Sequence, residues 1–222
     1  MRVVCGVLFL LMSPLLSSAA EAPPLTYAVL GDSTSVAVGA SAEEGIAANT
    51  ARALANGGRR VSMTNLGVSG ARAHDVLTRQ LPAAEALRPD VVLLAVGAND
   101  VIHLTPLRSV KRDVAEIIDR LKRANPAVAI VVTGSPDMGS PPRIPRLLRG
   151  IASWRTRQIN RIFTAEVQRS GVTFAPIALT TGPLFRRDRT LFAPDRFHPN
   201  GRGYATWIPV LNAALAEALR LR

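Results

Sequence analysis

Residues 90–100 read DVVLLAVGAND and give the clearest indication of the fold. The nearly unbroken aliphatic run over residues 90–96 is typical of a central parallel strand that is buried on both faces. Asn99 and Asp100 follow this run directly after Gly97 and Ala98. Because ligands of parallel α/β sheets bind beyond the carboxyl ends of the strands, we expect this end of the strand to carry the chemistry.

Further strands and helices alternate along the chain. Strands are expected over residues 25–30, 61–65, 128–133 and 172–176. Helices are expected from a capping box at residues 41–44 to the glycines at 57–58, over 71–80 with a stop near Pro82, from Thr105 and Pro106 to 123, over 147–170, and over 201–221. This alternation predicts an α/β fold, a three-layer α/β/α sandwich around a flavodoxin-like parallel sheet of about five strands in the order 2-1-3-4-5.

Four short segments carry groups that are suited to attack on an acyl carbonyl. They are Gly31-Asp32-Ser33, residues 65–70 (NLGVSG), Gly97-Ala98-Asn99-Asp100, and residues 195–198 (DRFH). Together they offer a hydroxyl, a glycine N–H, a carboxamide, and an imidazole with a carboxylate three residues before it. In the 2-1-3-4-5 order, the first and third segments follow neighbouring strands at the topological switch point, where α/β proteins place their sites.

The order and context of these segments resemble the SGNH/GDSL hydrolase family, whose four blocks contribute Ser, Gly, Asn and His. The resemblance extends from about Tyr27 to the end of the chain. It implies a serine esterase or lipase-like enzyme in which Ser33 is the nucleophile and Asp195 and His198 complete the triad. The backbone N–H groups of Ser33 and Gly70 and the side-chain amide of Asn99 would form the oxyanion hole.

One position departs from the pattern of the family. Thr34 stands where the family name has Leu. That position varies within the family, so the departure concerns substrate detail rather than the reaction.

Residues around these segments have predicted supporting roles. Val101, Ile102 and His103 are the candidates for contact with substrate, and Ile102 with its apolar neighbours would line a modest acyl pocket. Because no long insertion interrupts the predicted elements, we expect an open, shallow site that suits short acyl groups. Asp32 and Asp100 are expected to brace their loops through backbone hydrogen bonds, and Asp32 is the second choice for the triad acid.

Two residues are given no catalytic role. Gly67 is interpreted as a glycine required only by a flexible loop. His74 is expected on a helix surface, with no carboxylate placed as Asp195 is beside His198.

The N-terminus has the pattern of a secretory signal. Arg2 precedes an apolar run over residues 3–12, and small residues lead to a cleavage site after Ala20, with Ala22 as the alternative. The run falls short of the ~20 apolar residues that a membrane span needs, which disfavours an uncleaved anchor. We therefore expect a cleaved signal peptide over residues 1–20, a single domain over residues 21–222 with no integral span, and a periplasmic or secreted location.

The cysteine and histidine content argues against metal or disulfide chemistry. Cys5 is the only cysteine and lies within the predicted signal, and the chain has three histidines. No metal-ligand cluster is recognisable. We expect neither a cofactor nor a metal.

The chain is strongly basic, with a formal net charge of +11. A nucleic-acid-binding protein is the competing interpretation. The arginines are scattered over predicted helices without a basic tail or interleaved aromatic residues, so we expect no nucleic-acid partner and favour contact with an anionic envelope surface. Two arginine-rich segments, residues 143–149 and 186–189, could draw anionic substrates toward the site.

Two functions stay open beside a hydrolase of small-molecule or glycan esters. One is an acyltransferase or thioesterase with the same chemistry and fold. The other is a catalytically silent protein that binds acylated glycans. The α/β-hydrolase fold is disfavoured because its Gly-x-Ser-x-Gly pattern is missing from the sequence.

Overall fold

Five parallel strands form one sheet in the computed structural model, which describes residues 23–56 and 58–221. The strands are β1 (Leu25–Gly31), β2 (Val61–Asn65), β3 (Val91–Ala95), β4 (Ala129–Val132) and β5 (Thr173–Phe174). Their order is β2-β1-β3-β4-β5, and every neighbouring pair is parallel. The predicted fold class and strand order are confirmed. The predicted signal segment, residues 1–20, lies outside the described residues.

Helices cover both faces of the sheet. In the described chain they are α1 (Ile46–Ala55), α2 (Ala73–Asp75), α3 (Leu81–Leu87), α4 (Ala98–Ile102), α5 (Leu107–Ala124), α6 (Arg146–Ser170), α7 (Ile177–Arg187) and α8 (Gly201–Arg220). One apolar core joins the sheet to α3, α5 and α6, and a second core joins it to α1, α7 and α8. The molecule therefore has the three expected layers.

The central strand explains the aliphatic run at residues 90–96. Side chains alternate between the two faces of a strand. Val92 and Leu94 accordingly lie in the core with α5, and Val91 and Leu93 lie in the core with α8. All five residues of β3 are buried, so neither face of the strand tolerates a polar side chain.

The capping box does not open the first α-helix. The Glu44 carboxylate accepts hydrogen bonds from the backbone N–H and the hydroxyl of Ser41, both at 3.0 Å, but the box encloses only a 3₁₀ turn, Ala42–Glu44. Gly45 is extended at φ −68° and ψ 166°, and a Cβ there would lie 2.4 Å from the Cβ of Ala37. This close packing bends the chain, so that α1 begins at Ile46. It ends at Ala55, and Gly57, part of its predicted end, lies outside the described residues.

The predicted helix stop near Pro82 is also wrong. A π-helical turn, Val76–Gln80, follows α2 and leads directly into α3. The N–H of Leu81 bonds to the carbonyl of Val76, which places Pro82 in the first turn of α3. A proline is tolerated there because its fixed φ suits a helix and its missing N–H removes no bond made within α3 itself.

Other boundaries differ less from the expectations. The helix α5 begins at Leu107, with Pro106 as its N-cap rather than Thr105. The strand β5 is shortened to two residues. The short helix α4 and the helix α7 were not predicted.

Candidate active site

The end of β1 places Ser33 at the carboxyl edge of the sheet. Gly31 pairs with Ala95 of β3, and the N–H of Asp32 donates to the Ala95 carbonyl at 3.0 Å. The buried side chain of Gln80 donates from Nε2 to the Gly31 carbonyl and accepts from its N–H, both at 2.8 Å. These bonds fix the backbone two residues before the hydroxyl of Ser33.

A series of tight turns follows Ser33. One Asp32 oxygen accepts from both the N–H and the hydroxyl of Thr34 at 2.9 Å, which is the bracing role expected of this aspartate. The hydroxyl of Ser35 donates to the Asp32 carbonyl at 2.6 Å. The described chain enters its first α-helix only at Ile46, so no α-helix begins at Ser33.

Ser33, His198 and Asp195 form one chain of hydrogen bonds. The Ser33 Oγ lies 3.0 Å from Nε2 of His198, and the Nδ1 of His198 lies 2.5 Å from Oδ2 of Asp195. With the carboxylate on Nδ1, Nε2 is left as the acceptor that faces the hydroxyl. This geometry suits a hydroxyl nucleophile, a general base and an orienting carboxylate.

A tight turn brings Asp195 back to the imidazole. Its Oδ1 accepts from the N–H groups of Phe197 (2.9 Å) and His198 (3.0 Å), while Arg196 has a left-handed φ of +59°. The N–H of Arg143 donates to the Arg196 carbonyl at 2.9 Å, which ties the turn to the loop after β4.

The two aspartates beside this site have opposite electrostatics. Partial burial opposes ionisation of Asp195, but the hydrogen bonds from the His198 ring and from the Phe197 and His198 N–H groups outweigh it and hold the pKa of Asp195 below its usual value. Burial raises the pKa of Asp32 to about 6, against the hydrogen bonds from Thr34. Asp195 is therefore the acid that stays ionised beside the imidazole.

The predicted oxyanion donors face one cleft. Ser33, Gly70 and Asn99 line a cleft of about 390 Å³ together with His198. No described residue accepts a hydrogen bond from the N–H of Ser33 or Gly70. Gly70 has a φ of +86° and open space where a Cβ would point, so its conformation requires the glycine.

The Asn99 amide has one bond and one free hydrogen. Its Nδ2 donates to the carbonyl of Ala71 at 3.0 Å, which fixes the side chain. A carboxamide has two N–H donors, so the second is available to an oxygen atom in the cleft.

Only one of the three substrate-contact candidates lines this cleft. Ile102 does, whereas Val101 is 2% exposed and packs in the core, and His103 is outside the lining. The helix α4 causes this difference, because successive helical side chains point in directions about 100° apart. The prediction for Val101 is corrected accordingly, and substrate contact by the exposed His103 stays a prediction.

The contacts of Asp100, Gly67 and His74 can be compared with the roles expected of these residues. Asp100 does brace its neighbourhood, since its Oδ2 accepts from the N–H of Ala73 at 3.0 Å. Gly67 is required by close packing rather than by loop flexibility, because a Cβ there would lie 1.9 Å from the Oγ of Ser35. His74 has a carboxylate partner after all, with its Nδ1 3.5 Å from the buried Asp113.

Several lining residues were missed by the sequence analysis as parts of the site. Ile144 and Phe197 line the cleft beside Arg143. Gln80 acts on the backbone of Gly31, and nothing in the sequence distinguished it from a surface glutamine. The lining residues gave no signal, because the turn that presents them depends on the bond between Arg143 and Arg196.

The arginines of the two basic segments divide between two concavities. Arg143 lines the cleft, whereas Arg149, Arg186 and Arg189 line a different concavity of about 450 Å³. Arg186 is neutralised by Asp137, with Nη2 2.6 Å from its carboxylate. Attraction of anionic substrates by these segments stays a prediction.

Neither metal ligation nor a membrane-spanning helix is visible in the described part of the chain. No three His, Cys, Asp or Glu side chains are grouped to hold an ion there. The same residues include no helix with the length and apolar content needed to cross a bilayer.

The fold and the geometry define a class of protein. It is the class of three-layer α/β proteins that carry a serine, a histidine and an aspartate in hydrogen-bond contact at the carboxyl edge of a parallel sheet. A family model for the GDSL-like lipase/acylhydrolase family matches residues 29–206. The chain belongs to this family.

Comparisons with individual proteins agree with this membership. A GDSL-like esterase of Mycobacterium tuberculosis (strain ATCC 25618 / H37Rv) is 33% identical over 197 residues, which are 86% of this chain and 62% of that esterase. This chain thus matches less than two thirds of the length of that relative.

Solved structures share the fold at lower identity. A lipase from a goat rumen metagenome has a TM-score of 0.73 at 19% identity, covering 89% of this chain and 100% of that one. The psychrotrophic esterase EstA from Pseudoalteromonas sp. has a TM-score of 0.66 at 20% identity, covering 88% of this chain and 98% of that one.

Proposed function

We propose that the protein is an exported serine esterase that hydrolyses carboxylic esters through an acyl-enzyme on Ser33. The observation that carries this proposal is the hydrogen-bond chain from the Ser33 hydroxyl through His198 to Asp195, at 3.0 and 2.5 Å. Membership of the GDSL-like lipase/acylhydrolase family supports the same reaction.

Acylation begins with attack of the Ser33 Oγ on the ester carbonyl. As the bond forms, the hydroxyl proton moves to Nε2 of His198, and the Asp195 carboxylate stabilises the resulting imidazolium. The carbonyl oxygen becomes an oxyanion, which the three candidate N–H donors of the cleft stabilise. Collapse of the tetrahedral intermediate breaks the bond to the alcohol oxygen, which takes the proton from His198 and leaves the acyl group on Ser33.

Deacylation repeats these steps with water. His198 accepts a proton from water as its oxygen attacks the acyl carbonyl, and the Ser33 oxygen leaves with that proton. The products are a carboxylic acid and the free enzyme. The cleft of about 390 Å³ is open to solvent, which favours water over a second alcohol as the acyl acceptor.

The cleft beside Ser33 is open rather than enclosed, which favours short acyl groups. A second recess beside Ser33, on the side of Met138 and Trp207, has a volume of only about 30 Å³, close to that of one water molecule. The acyl group is therefore assigned to the larger cleft beside Ile102 and Ile144. Short-chain esters of small molecules or glycans are the proposed substrates.

Export rests on the N-terminal sequence alone. A cleaved signal over residues 1–20 would place the enzyme in the periplasm or outside the cell. N-terminal sequencing of the exported protein tests this assignment, and a chain that retains Met1 in the cytoplasm contradicts it.

The test of catalysis compares Ser33→Ala with Ser69→Ala. Both serines line the cleft, but only Ser33 contacts the imidazole. We expect Ser33→Ala to lower kcat on p-nitrophenyl acetate by a factor on the order of 10⁴ or more. Ser69→Ala should retain activity, and a fluorophosphonate should label Ser33 alone.

Full activity of Ser33→Ala, or labelling at Ser69, would exclude the assigned nucleophile. A parallel screen of oxygen esters, thioesters and acetylated sugars identifies the preferred leaving group. Activity on thioesters alone would replace the esterase assignment with a thioesterase.

A further inference from the structure

The first turns of α6 expose a row of large apolar side chains. Leu147 is 93% exposed, Ile151 58% and Trp154 51%, and Leu148 is half exposed as well. Their spacing of three and four residues places Leu147, Ile151 and Trp154 on one side of the helix. Isolated exposed apolar residues are common, whereas a contiguous patch marks an interaction surface. These four residues are called the α6 apolar face below.

Hydrogen bonds fix the orientation of this helix. Thr156 is buried, donates from its hydroxyl to the Ala152 carbonyl, and accepts from the N–H of Met138 at 3.2 Å. Ile159, one turn further on, is fully buried in the core. Because the opposite side of α6 is held in the core, the α6 apolar face must point outward.

The α6 apolar face lies beside the candidate active site. Ile144, three residues before Leu147, lines the cleft together with Ile102. Arg155 of α6 donates to the Thr105 carbonyl, which ties the helix to the loop that follows α4. Leu104, in that loop, is 66% exposed. Apolar side chains are therefore exposed on two connected elements at the rim of the cleft.

The positive charge of the same region indicates what kind of surface the α6 apolar face binds. Residues 138–165 contain six arginines and no aspartate or glutamate. Arg143 and Arg146 lie at the start of the α6 apolar face, and Arg143 reaches the cleft itself. A basic helix with Trp and Leu on one exposed side has the composition of an interfacial helix that binds anionic lipids.

We propose that the α6 apolar face docks the protein on the surface of an anionic lipid bilayer. The apolar side chains enter the boundary between headgroups and acyl chains, Trp154 lies at headgroup level, and the arginines bind lipid phosphates. The cleft then opens toward the interface. The advantage for ester hydrolysis rests on the proposed function, but the docking itself does not.

Vesicle binding is measured with Ser33→Ala protein, so that binding is separated from turnover. The probes are phosphatidylcholine vesicles with and without one third of phosphatidylglycerol. We expect binding only to the anionic vesicles, weakened by added salt. Leu147→Ser combined with Ile151→Ser should weaken it at least ~10-fold, since lipid affinity follows the buried apolar area.

Leu221→Ser is the matched control. Leu221 is 66% exposed and lies with Pro126 and Ala127, before β4, at the opposite edge of the sheet. We expect vesicle binding of this variant to equal that of the parent.

Tryptophan fluorescence tests directly whether the α6 apolar face is the surface that contacts the vesicle. The chain has two tryptophans, and Trp207 is 2% exposed whereas Trp154 is 51% exposed. Anionic vesicles should shift the emission of Trp154 to shorter wavelength, and brominated lipids should quench it. Both changes should disappear in Trp154→Phe.

Each outcome decides between alternatives. Equal vesicle binding by the Leu147/Ile151 double variant, or dimerisation through this face without vesicle binding, overturns the proposal. The Leu147/Ile151 double variant with Ser33 intact should hydrolyse p-nitrophenyl acetate at the parental rate, which shows that the fold and the site survive. A protein that binds vesicles through Trp154 but never cleaves esters would refute the proposed function and leave the docking intact.

Discussion

The Asn99 side chain tests the assignment of the oxyanion donors. One of its amide hydrogens is bound to the Ala71 carbonyl, and the other is available in the cleft. We expect Asn99→Ala to lower kcat by a factor of about 10²–10³ with little change in KM, because the negative charge develops only in the transition state. Steady-state kinetics on p-nitrophenyl acetate measure both parameters.

Asn99→Ala also removes the hydrogen bond to the Ala71 carbonyl, and this loss requires a control of its own. Thermal unfolding of Asn99→Ala separates the loss of this bond from the loss of catalysis. A raised KM at constant kcat would make Asn99 a substrate-binding residue instead.

Asp32 predicts a pH dependence of stability. Its folded pKa is raised to about 6 by burial, above the value of an unfolded aspartate. Below about pH 4 the carboxyl is protonated in both states, whereas at neutral pH the folded protein carries a buried carboxylate. The stabilisation present at low pH is therefore lost as the pH rises through about 6.

The expected loss of unfolding free energy follows from the difference between the folded and unfolded pKa of Asp32. Relative to Asp32→Asn, the parent should lose up to about 3 kcal/mol of unfolding free energy between pH 4 and pH 7. Urea unfolding of both proteins at the two pH values measures it. A parent that gains stability over Asp32→Asn across this range contradicts the raised pKa.

At the scale of elements, the π-helical turn connects to the end of β1 through Gln80. Its side chain satisfies both the N–H and the carbonyl of Gly31. Gln80→Leu leaves the buried N–H of Gly31 without a partner, which costs about 1–3 kcal/mol, and leaves the Gly31 carbonyl only the bond from the N–H of Val68. We expect a lower melting temperature and, because Ser33 shifts, a kcat reduced about tenfold with an unchanged KM.

Thr78→Ala is the control within the same turn. Thr78 is exposed and bonds only to the carbonyl of His74, so its removal should leave kcat unchanged. If Gln80→Leu lowers the melting temperature but labels with fluorophosphonate at the parental rate, Gln80 is structural and does not position Ser33.

Elements were predictable from sequence where local signals agreed with the final packing. The aliphatic run of β3 is such a case, because burial on both faces leaves the same pattern in any parallel sheet. Gly45 and Pro82 show the opposite case. Gly45 leaves no room for a Cβ beside Ala37, and a π-helical turn precedes Pro82; neither the packing nor the π-helical turn has a recognised pattern in the sequence.

For the whole molecule, topology located the site better than local sequence did. The predicted strand order was sufficient to bring the segments of Ser33 and Asn99 to one edge. The sequence could not show that Ile144 lines the cleft or that Val101 is buried in the core instead of lining it. These placements depend on the path of a distant loop and on the rotation of a single helical turn.

The bond between Ser33 and His198 also constrains how the protein matures. These residues are 165 positions apart, so the pair forms only after the end of β1 and the turn at residues 195–198 have been brought together. Such non-local contacts are slow to form during folding. A nascent chain that lacks residues 195–198 therefore carries the Ser33 hydroxyl without its base. The hydroxyl is activated only once that later segment has been synthesised and has folded against the end of β1.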